Sequence, residues 1–244
     1  MLSTFLTAEW RNLIMAQYVV EPATLQPWLP RGVELDLYHD RCYVSLVGFL
    51  FDAVRVKGVA IPFHTRFEEV NLRFYVARTE LNGPRKRGVV FIREFVPRAA
   101  ITLLANSLYE EPYATLPMRH SIVATGDSLD VSYAWHHSLA GVDTWHSLAV
   151  EAAPEPQPIL AASDEEFVTE HYWGYTKRGR GHTSEYGVQH PRWSVYPIRS
   201  FAIQVDFTAL YGPAFAALNG AAPASVLLAE GSAVSVSHGV RLRD

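Results

Sequence analysis

Residues 69–76 alternate strictly between polar and apolar side chains, and each polar one carries reactive or hydrogen-bonding chemistry. In an extended strand Val70, Leu72, Phe74 and Val76 fall on one side, and Glu69, Asn71, Arg73 and Tyr75 on the other. A period of two is incompatible with a helix. The polar side sets a carboxylate, an amide, a guanidinium and a phenol in a row. Such a row suits solvent, and it suits the wall of a polar cavity equally well.

The chain around this strand reads as a hairpin followed by a helix. Asn82-Gly83-Pro84 supplies a turn, with the basic run Arg85-Lys86-Arg87 in its exposed loop. Residues 88–96 form a second, mostly apolar strand that carries Arg93 and Glu94 on opposite faces. Either can meet the polar row across the pair. After Pro97 the period changes, and Ala100, Ile101, Leu104 and Leu108 share a helical face. The helix ends near Tyr109, because Pro112 disfavours helical geometry at Glu111.

Elsewhere the pattern is again hairpins with short helices. Residues 10–20 read as a strand with Trp10, Asn12, Ile14, Ala16 and Tyr18 on one face, then a helix over 21–29 with Pro22 in its first turn. Residues 33–38 and 42–56 read as a hairpin whose second arm is apolar on both faces, hence central, with Gly48 marking a bulge or bend. Strands follow at 121–124, 129–135 and 144–150, then a proline-rich surface connection over 151–158. Ser163-Asp164-Glu165-Glu166 is a capping-box signature for a helix reaching about Tyr172. Residues 177–181 form a loop, 199–207 a strand, and 208–218 a short helix broken at Gly212-Pro213. Strands at 225–229 and 233–237 close the chain. The sum is an α+β, β-rich fold. It is a strongly curved antiparallel sheet, open or closed into a β-barrel, covered by a few short helices.

Composition narrows the function. A chain of 244 residues fits one domain over 1–244, and 49% hydrophobic content supplies a large core. A net charge of −4 with no basic stripe argues against a nucleic-acid partner. Cys42 is the only cysteine, so neither an intrachain disulfide nor a cysteine-rich metal site is available. No apolar run reaches the roughly 18 residues of a membrane helix. The start MLSTFLTAEWR lacks signal-peptide character, so a cytoplasmic location is expected, away from membranes. Exposed apolar strand edges allow a homodimer.

The combination FxEVNLRxYV, then GVVF, then a helix leading into Tyr109-x-x-Pro112-Tyr113 and Met118, resembles the YqjF-like family of the acetoacetate decarboxylase-like superfamily. Trp10-Arg11-x-Leu13, Leu29-Pro30-x-Gly32-Val33-Glu34-Leu35, the run 167–172 and His190-Pro191-x-Trp193 extend the likeness over most of the chain. The resemblance implies a barrel-like core with a central cavity. It also implies that Glu69 matches a pocket carboxylate. The decarboxylases carry a glycine-aromatic-proline-lysine-lysine run after the helix, and its first lysine forms a Schiff base with the keto acid. Here the run is Glu110-Glu111-Pro112-Tyr113-Ala114, so Tyr113 stands where the nucleophile would be. Lys57, Lys86 and Lys177 are the only lysines, at a strand end, in the hairpin loop and in a glycine-arginine loop. None of these settings predicts a desolvated, low-pKa amine, so the fold is expected without that chemistry.

The candidate site follows. Arg73 can hold a carboxylate in bidentate geometry. Glu69 can act as general acid or base if burial raises its pKa. Tyr75 and Tyr113 can donate to a carbonyl or enolate oxygen. Asn71, Arg93 and Asn106 are further binding candidates. The competing structural expectation is that Glu69 and Arg73 satisfy each other and that Tyr113 is an aromatic plug. Glu110 and Glu111 read as solvating the loop, and Asp164, Glu165 and Glu166 as helix N-terminal charges. His136, His137 and His146 invite a metal, but neighbouring strand residues diverge, so no metal or cofactor is expected. His171 and His190 read as structural more readily than catalytic. The expected function is an enzyme, or a non-catalytic binding or sensing protein, for a small organic acid or carbonyl compound. Imine-independent lyase or isomerase chemistry fits best, and a decarboxylase with a relocated lysine is the remaining alternative.

Overall fold

The computed structural model describes residues 3–80, 83–108, 111–139 and 141–242. Expectations for Asn82, Tyr109 and Glu110, and for the side chains of Leu104 and Leu108, lie outside the described residues. The strands in chain order are β1 Thr4–Val20, β2 Glu34–Leu35, β3 Cys42–Val56, β4 Phe67–Thr79, β5 Arg85–Val96, β6 Tyr113–Thr115, β7 Met118–Ala124 and β8 Leu129–Leu139. They continue as β9 Val142–Ala152, β10 Gln157–Pro158, β11 Trp173–Arg178, β12 His182–Gln189, β13 Ser194–Tyr196, β14 Ile198–Gln204, β15 Ser225–Ser237 and β16 Val240–Arg241. Among the described residues four short α-helices interrupt them, α1 Pro22–Leu25, α2 Ala99–Leu108, α3 Asp164–Thr169 and α4 Phe207–Tyr211, with 3-10 turns at Gly179–Gly181 and Pro213–Leu218.

Two sheets result. The larger runs β10-β13-β15-β1-β3-β4-β5-β11-β12-β16, with β2 on β4 and β6 on β5. It is mixed rather than wholly antiparallel, since β5 pairs parallel with both β11 and β6. It curls until Val188 and Gln189 of β12 pair with Val236 and Ser235 of β15. Among the described residues only those two pairs join the flanks, so the sheet is strongly curved rather than a fully laddered barrel. The smaller sheet, β14-β9-β8-β7, packs over one face of the larger.

Bulges produce much of the curvature. Asn12 takes positive φ (53°) where β1 slips against β3 between Arg11 and Ile14. The slip reverses the alternation, so Trp10 joins the core cluster opposite the one holding Ile14, Ala16 and Tyr18. The expected single face from Trp10 to Tyr18 is thereby split. Tyr133 of β8 covers the bulge and donates its hydroxyl to the Asn12 carbonyl (3.0 Å). Gly48 makes room for that ring, because a Cβ there would lie 3.1 Å from Tyr133 Cδ2. At Gly231 (φ 80°) a Cβ would lie 2.0 Å from the Trp10 carbonyl oxygen, so glycine keeps β15 one bent strand where two were expected.

Other boundaries shift for local reasons. β2 pairs with β4 beyond the end of β3, so the expected 33–38/42–56 hairpin reduces to a Tyr38–Arg41 bridge. Arg85, Lys86 and Arg87 belong to β5 rather than to an exposed loop, because carboxylates meet them: Asp36 bonds Arg85 and Arg87, and Glu185 bonds Lys86. Ser163 caps α3 by accepting from the Glu166 N–H, but the helix stops at Thr169 and leaves His171 in extended chain. Part of the expected loop at 177–181 is the end of β11.

β4 is buried on both sides. Val70, Leu72, Phe74 and Val76 pack against Val131, Tyr133, Trp135 and Leu148 of the smaller sheet. The Glu69 side faces a second cluster that includes Phe49, Phe51, Phe167 and Trp193.

Candidate functional site

The polar row of β4 does not meet bulk solvent. Glu69, Asn71, Arg73 and Tyr75 are all buried. Glu69 and Arg73 line a cavity of about 140 Å³, whereas Asn71 and Tyr75 do not reach its surface. Glu69, Arg73, Glu94, Glu111, Tyr113 and His171 line it together with apolar walls from Trp10, Phe51, Phe67 and Trp193. An apolar cavity of roughly this size accepts a molecule as large as benzene, and with polar lining it can hold several waters.

The second strand contributes through a bulge. Asn71 pairs with Glu94 and Leu72 with Arg93, but Arg73 already pairs with Phe91. Glu94 thus stays beside the polar row, whereas Arg93 turns outward, is exposed, and donates to the Leu210 carbonyl (3.0 Å). Arg93 is therefore no part of the cavity. Asn106 is exposed on α2, where its amide both donates to the Tyr113 carbonyl (3.2 Å) and accepts from the Tyr113 N–H (3.0 Å). It fixes the strand carrying Tyr113 without touching the cavity. Tyr75 lies deeper, with its hydroxyl hydrogen-bonded to Ser45. Asn71 donates to Glu69 Oε1 (2.9 Å).

Glu69 and Arg73 do not satisfy each other. Both Glu69 oxygens take neutral donors, Asn71 on Oε1 and the Tyr113 hydroxyl on Oε2 (2.9 Å). Arg73 donates to the Val168 carbonyl (3.3 Å), makes no ion pair among the described residues, and leaves Nε buried without a protein partner. The guanidinium lies 5.8 Å from the Tyr75 ring centroid and attracts the Glu69 and Glu94 carboxyls, which offsets part, but not all, of the cost of burying its charge.

Glu111, expected to solvate a loop, is instead buried in the cavity wall. It accepts from Thr176 Oγ1 (2.6 Å) and the Tyr186 hydroxyl (3.0 Å). β11 and β12 supply both donors, and neither short, glycine-interrupted strand stands out by its sequence pattern. Burial pushes the Glu69 and Glu111 carboxyls up to about 7, against the pull of their hydrogen bonds. Burial, with Glu111 and Glu69 close by, holds Glu94 well above the usual carboxylate range, and one of its oxygens has no protein partner. Desolvation and the neighbouring carboxylates push the Tyr113 phenol up, so it remains a donor.

His171 closes another wall. Its ring packs on Tyr75 (4.7 Å between centroids), and Nε2 lies 3.1 Å from Asp36 Oδ2. Burial pulls its pKa down to about 4, so it is neutral at pH 7. His190 also lines the cavity, stacked on Trp193. His146 is buried elsewhere and accepts from the Asp206 N–H, and among the described residues no three His, Cys, Asp or Glu converge as metal ligands. None of the three lysines lines the cavity: Lys57 is exposed, Lys177 donates to the Pro27 carbonyl, and Lys86 lies over the Trp173 ring.

Residues 7–233 match the DUF2071 family, described as an uncharacterized conserved protein. The chain belongs to this family. The DUF2071 chain is 27% identical over 122 residues to the uncharacterized protein YqjF of Bacillus subtilis. That alignment covers 50% of the chain and 48% of YqjF, so it spans about half of either protein. The fold of the chain is the one seen in acetoacetate decarboxylase-like structures. Acetoacetate decarboxylase of Legionella pneumophila superposes with a TM-score of 0.63 at 12% identity, covering 99% of this chain and 88% of that one. An acetoacetate decarboxylase-like enzyme from Sphingomonas wittichii gives 0.65 at 10% identity, covering 99% and 94%. The enduracididine biosynthesis enzyme MppR, complexed with pyruvate, gives 0.66 at 15% identity, covering 100% and 93%. Among the described residues no helix is long and apolar enough to cross a membrane.

Proposed function

We propose that the cavity binds a small organic acid or carbonyl compound and moves a proton on it without an imine. The observation that carries this reading is Arg73, a buried guanidinium in the cavity wall with no carboxylate partner among the described residues. An acidic ligand in the cavity would supply the counter-charge that the guanidinium lacks and accept from it. The pyruvate held by the structurally similar MppR is a ligand of this class and fits a cavity of about 140 Å³.

Glu69 is the acid/base. A carboxyl poised near neutrality both takes and returns a proton efficiently at pH 7. Tyr113 donates to Glu69 in the ligand's absence and can turn that hydrogen bond toward a developing enolate oxygen. Glu94, kept protonated by its surroundings, is a second donor to a carbonyl. Enolisation, hydration or a lyase step starts from this arrangement. No amine at the cavity supports Schiff-base decarboxylation by the chain's lysines.

Pyruvate incubated in D₂O tests the reading by NMR. Wild type is expected to wash deuterium into the methyl group, and Glu69→Gln to reduce the rate at least 100-fold while pyruvate still binds. Exchange that survives in Glu69→Gln removes the acid/base role. Pyruvate that binds wild type without any exchange would instead favour a carrier or sensor using the same pocket. Borohydride with acetoacetate is expected to leave no adduct on any lysine.

A further inference from the structure

Asp36, His171 and the cavity form a connected series that the proton-transfer chemistry does not use. Asp36 follows β2 and sits in a surface cleft behind the cavity wall. Its carboxylate accepts from Arg87 Nε (2.7 Å) and Arg85 (3.0 Å). Burial opposes its charge, but His171 and Arg87 outweigh burial and hold its pKa below the usual range. An ionised carboxylate can only accept. The 3.1 Å contact with His171 Nε2 therefore places the proton on Nε2. His171 is neutral, so Nδ1 carries a lone pair. That nitrogen is fully buried and has no protein partner, although the ring lines the cavity.

Arg73, Glu94 and His171 thus line one small space with an unpaired polar atom each, and of these the guanidinium needs an acceptor and the imidazole nitrogen a donor. These two are neighbours. Arg73 donates to Val168, three residues before His171, and its charge acts on both His171 and His190. The same charge disfavours an ammonium as the donor and favours a neutral one, of which a hydroxyl is the smallest that a small acid can carry.

We propose, building on the organic-acid reading above, that the cavity selects small hydroxy acids, with the carboxylate on Arg73 and the hydroxyl donating to His171 Nδ1. Asp36 acts as a positioning residue that sets the tautomer. A volume of about 140 Å³ limits the ligand to the size of 2-hydroxypropanoate or somewhat larger.

Calorimetric titration of wild type with 2-hydroxypropanoate, propanoate, pyruvate and alanine separates the possibilities. The hydroxy acid is expected to bind about tenfold tighter than propanoate, which leaves Nδ1 unpaired, and tighter than alanine. In His171→Phe, which keeps the ring and removes the acceptor, the preference over propanoate should fall to within about twofold while propanoate affinity is retained. Asp36→Asn, whose amide can donate to Nε2 and move the proton to Nδ1, should shift preference toward pyruvate. Equal affinity of wild type for 2-hydroxypropanoate and propanoate would overturn the hydroxyl contact and leave the acid site standing. Binding of none of the four would remove the acid site and this inference together. The wild-type comparison is decisive even if a variant fails to fold.

Discussion

The two faces of β4 are buried to nearly the same degree and differ in how that burial is completed. Leu72 and Phe74 are 0% exposed and close against rings and aliphatic chains of the smaller sheet. Glu69 and Asn71, at 3% and 2%, are as hidden, yet Glu69 borders a cavity lined by Arg73, Glu94 and His171, whose Nε, Oε2 and Nδ1 are buried without protein partners. Each orphaned buried polar group costs about 1–3 kcal/mol. Packing on the first face supplies stability that the second face gives up. The cluster behind the first face also holds unpaired groups, at Trp135 Nε1 and the Tyr175 and Tyr211 hydroxyls, but these are single neutral groups on rings, whereas the second face sets a guanidinium, a carboxyl and an imidazole around one space, as the proposed site requires.

Truncation on the closed face breaks this contrast most severely. Phe74→Ala should destabilise by about 3–5 kcal/mol in denaturant titrations, because the smaller sheet cannot follow the lost ring. A loss below 1 kcal/mol would mean that this face is loosely packed. The pH dependence is the next largest effect. Glu69 and Glu111 ionise at about 7 in the folded protein, against an ordinary value of 4.5. Between those values the folded chain holds protons the unfolded chain has released, so stability is full below about 4.5 and falls as pH rises through about 7. Each shifted pKa unit is worth about 1.4 kcal/mol, so the decline amounts to a few kcal/mol. Glu69→Gln should make the decline shallower and leave the shares of Glu111 and Glu94; an unchanged slope would show that Glu69 is already ionised at low pH. The smallest effect is expected at Asn106→Ala, about 1 kcal/mol or less of stability, since the lost bonds are exposed. Deuterium exchange into pyruvate should nevertheless slow several-fold as Tyr113 loosens. Unchanged exchange would show that β6 holds Tyr113 without the amide.

The strict alternation of residues 69–76 made both faces of β4 legible, because period two assigns side chains without knowledge of their partners. Helix α3 was legible through Ser163, and the break at Gly212-Pro213 through its residue types. Bulges were not. The Asn12 slip moved Trp10 to the other cluster, and the slip opposite Arg73 turned Arg93 away while bringing Glu94 in. Glu111 gave no local signal, since its partners Thr176 and Tyr186 lie more than sixty residues away. The same holds for Asp36 and His171, separated by 135 positions. The alternation located the site's floor; most of its walls arrive through long-range pairing.

The most direct test is thermal denaturation of wild type and Arg73→Met with pyruvate and other small keto and hydroxy acids. Methionine removes the buried unpaired charge and keeps most of the volume, so the variant should fold and melt no lower than wild type. At a ligand concentration about 100-fold above Kd, wild type should melt about 5–10 °C higher and Arg73→Met should not move. Equal shifts in both proteins, or none in wild type with any acid, would contradict an acid site built on Arg73.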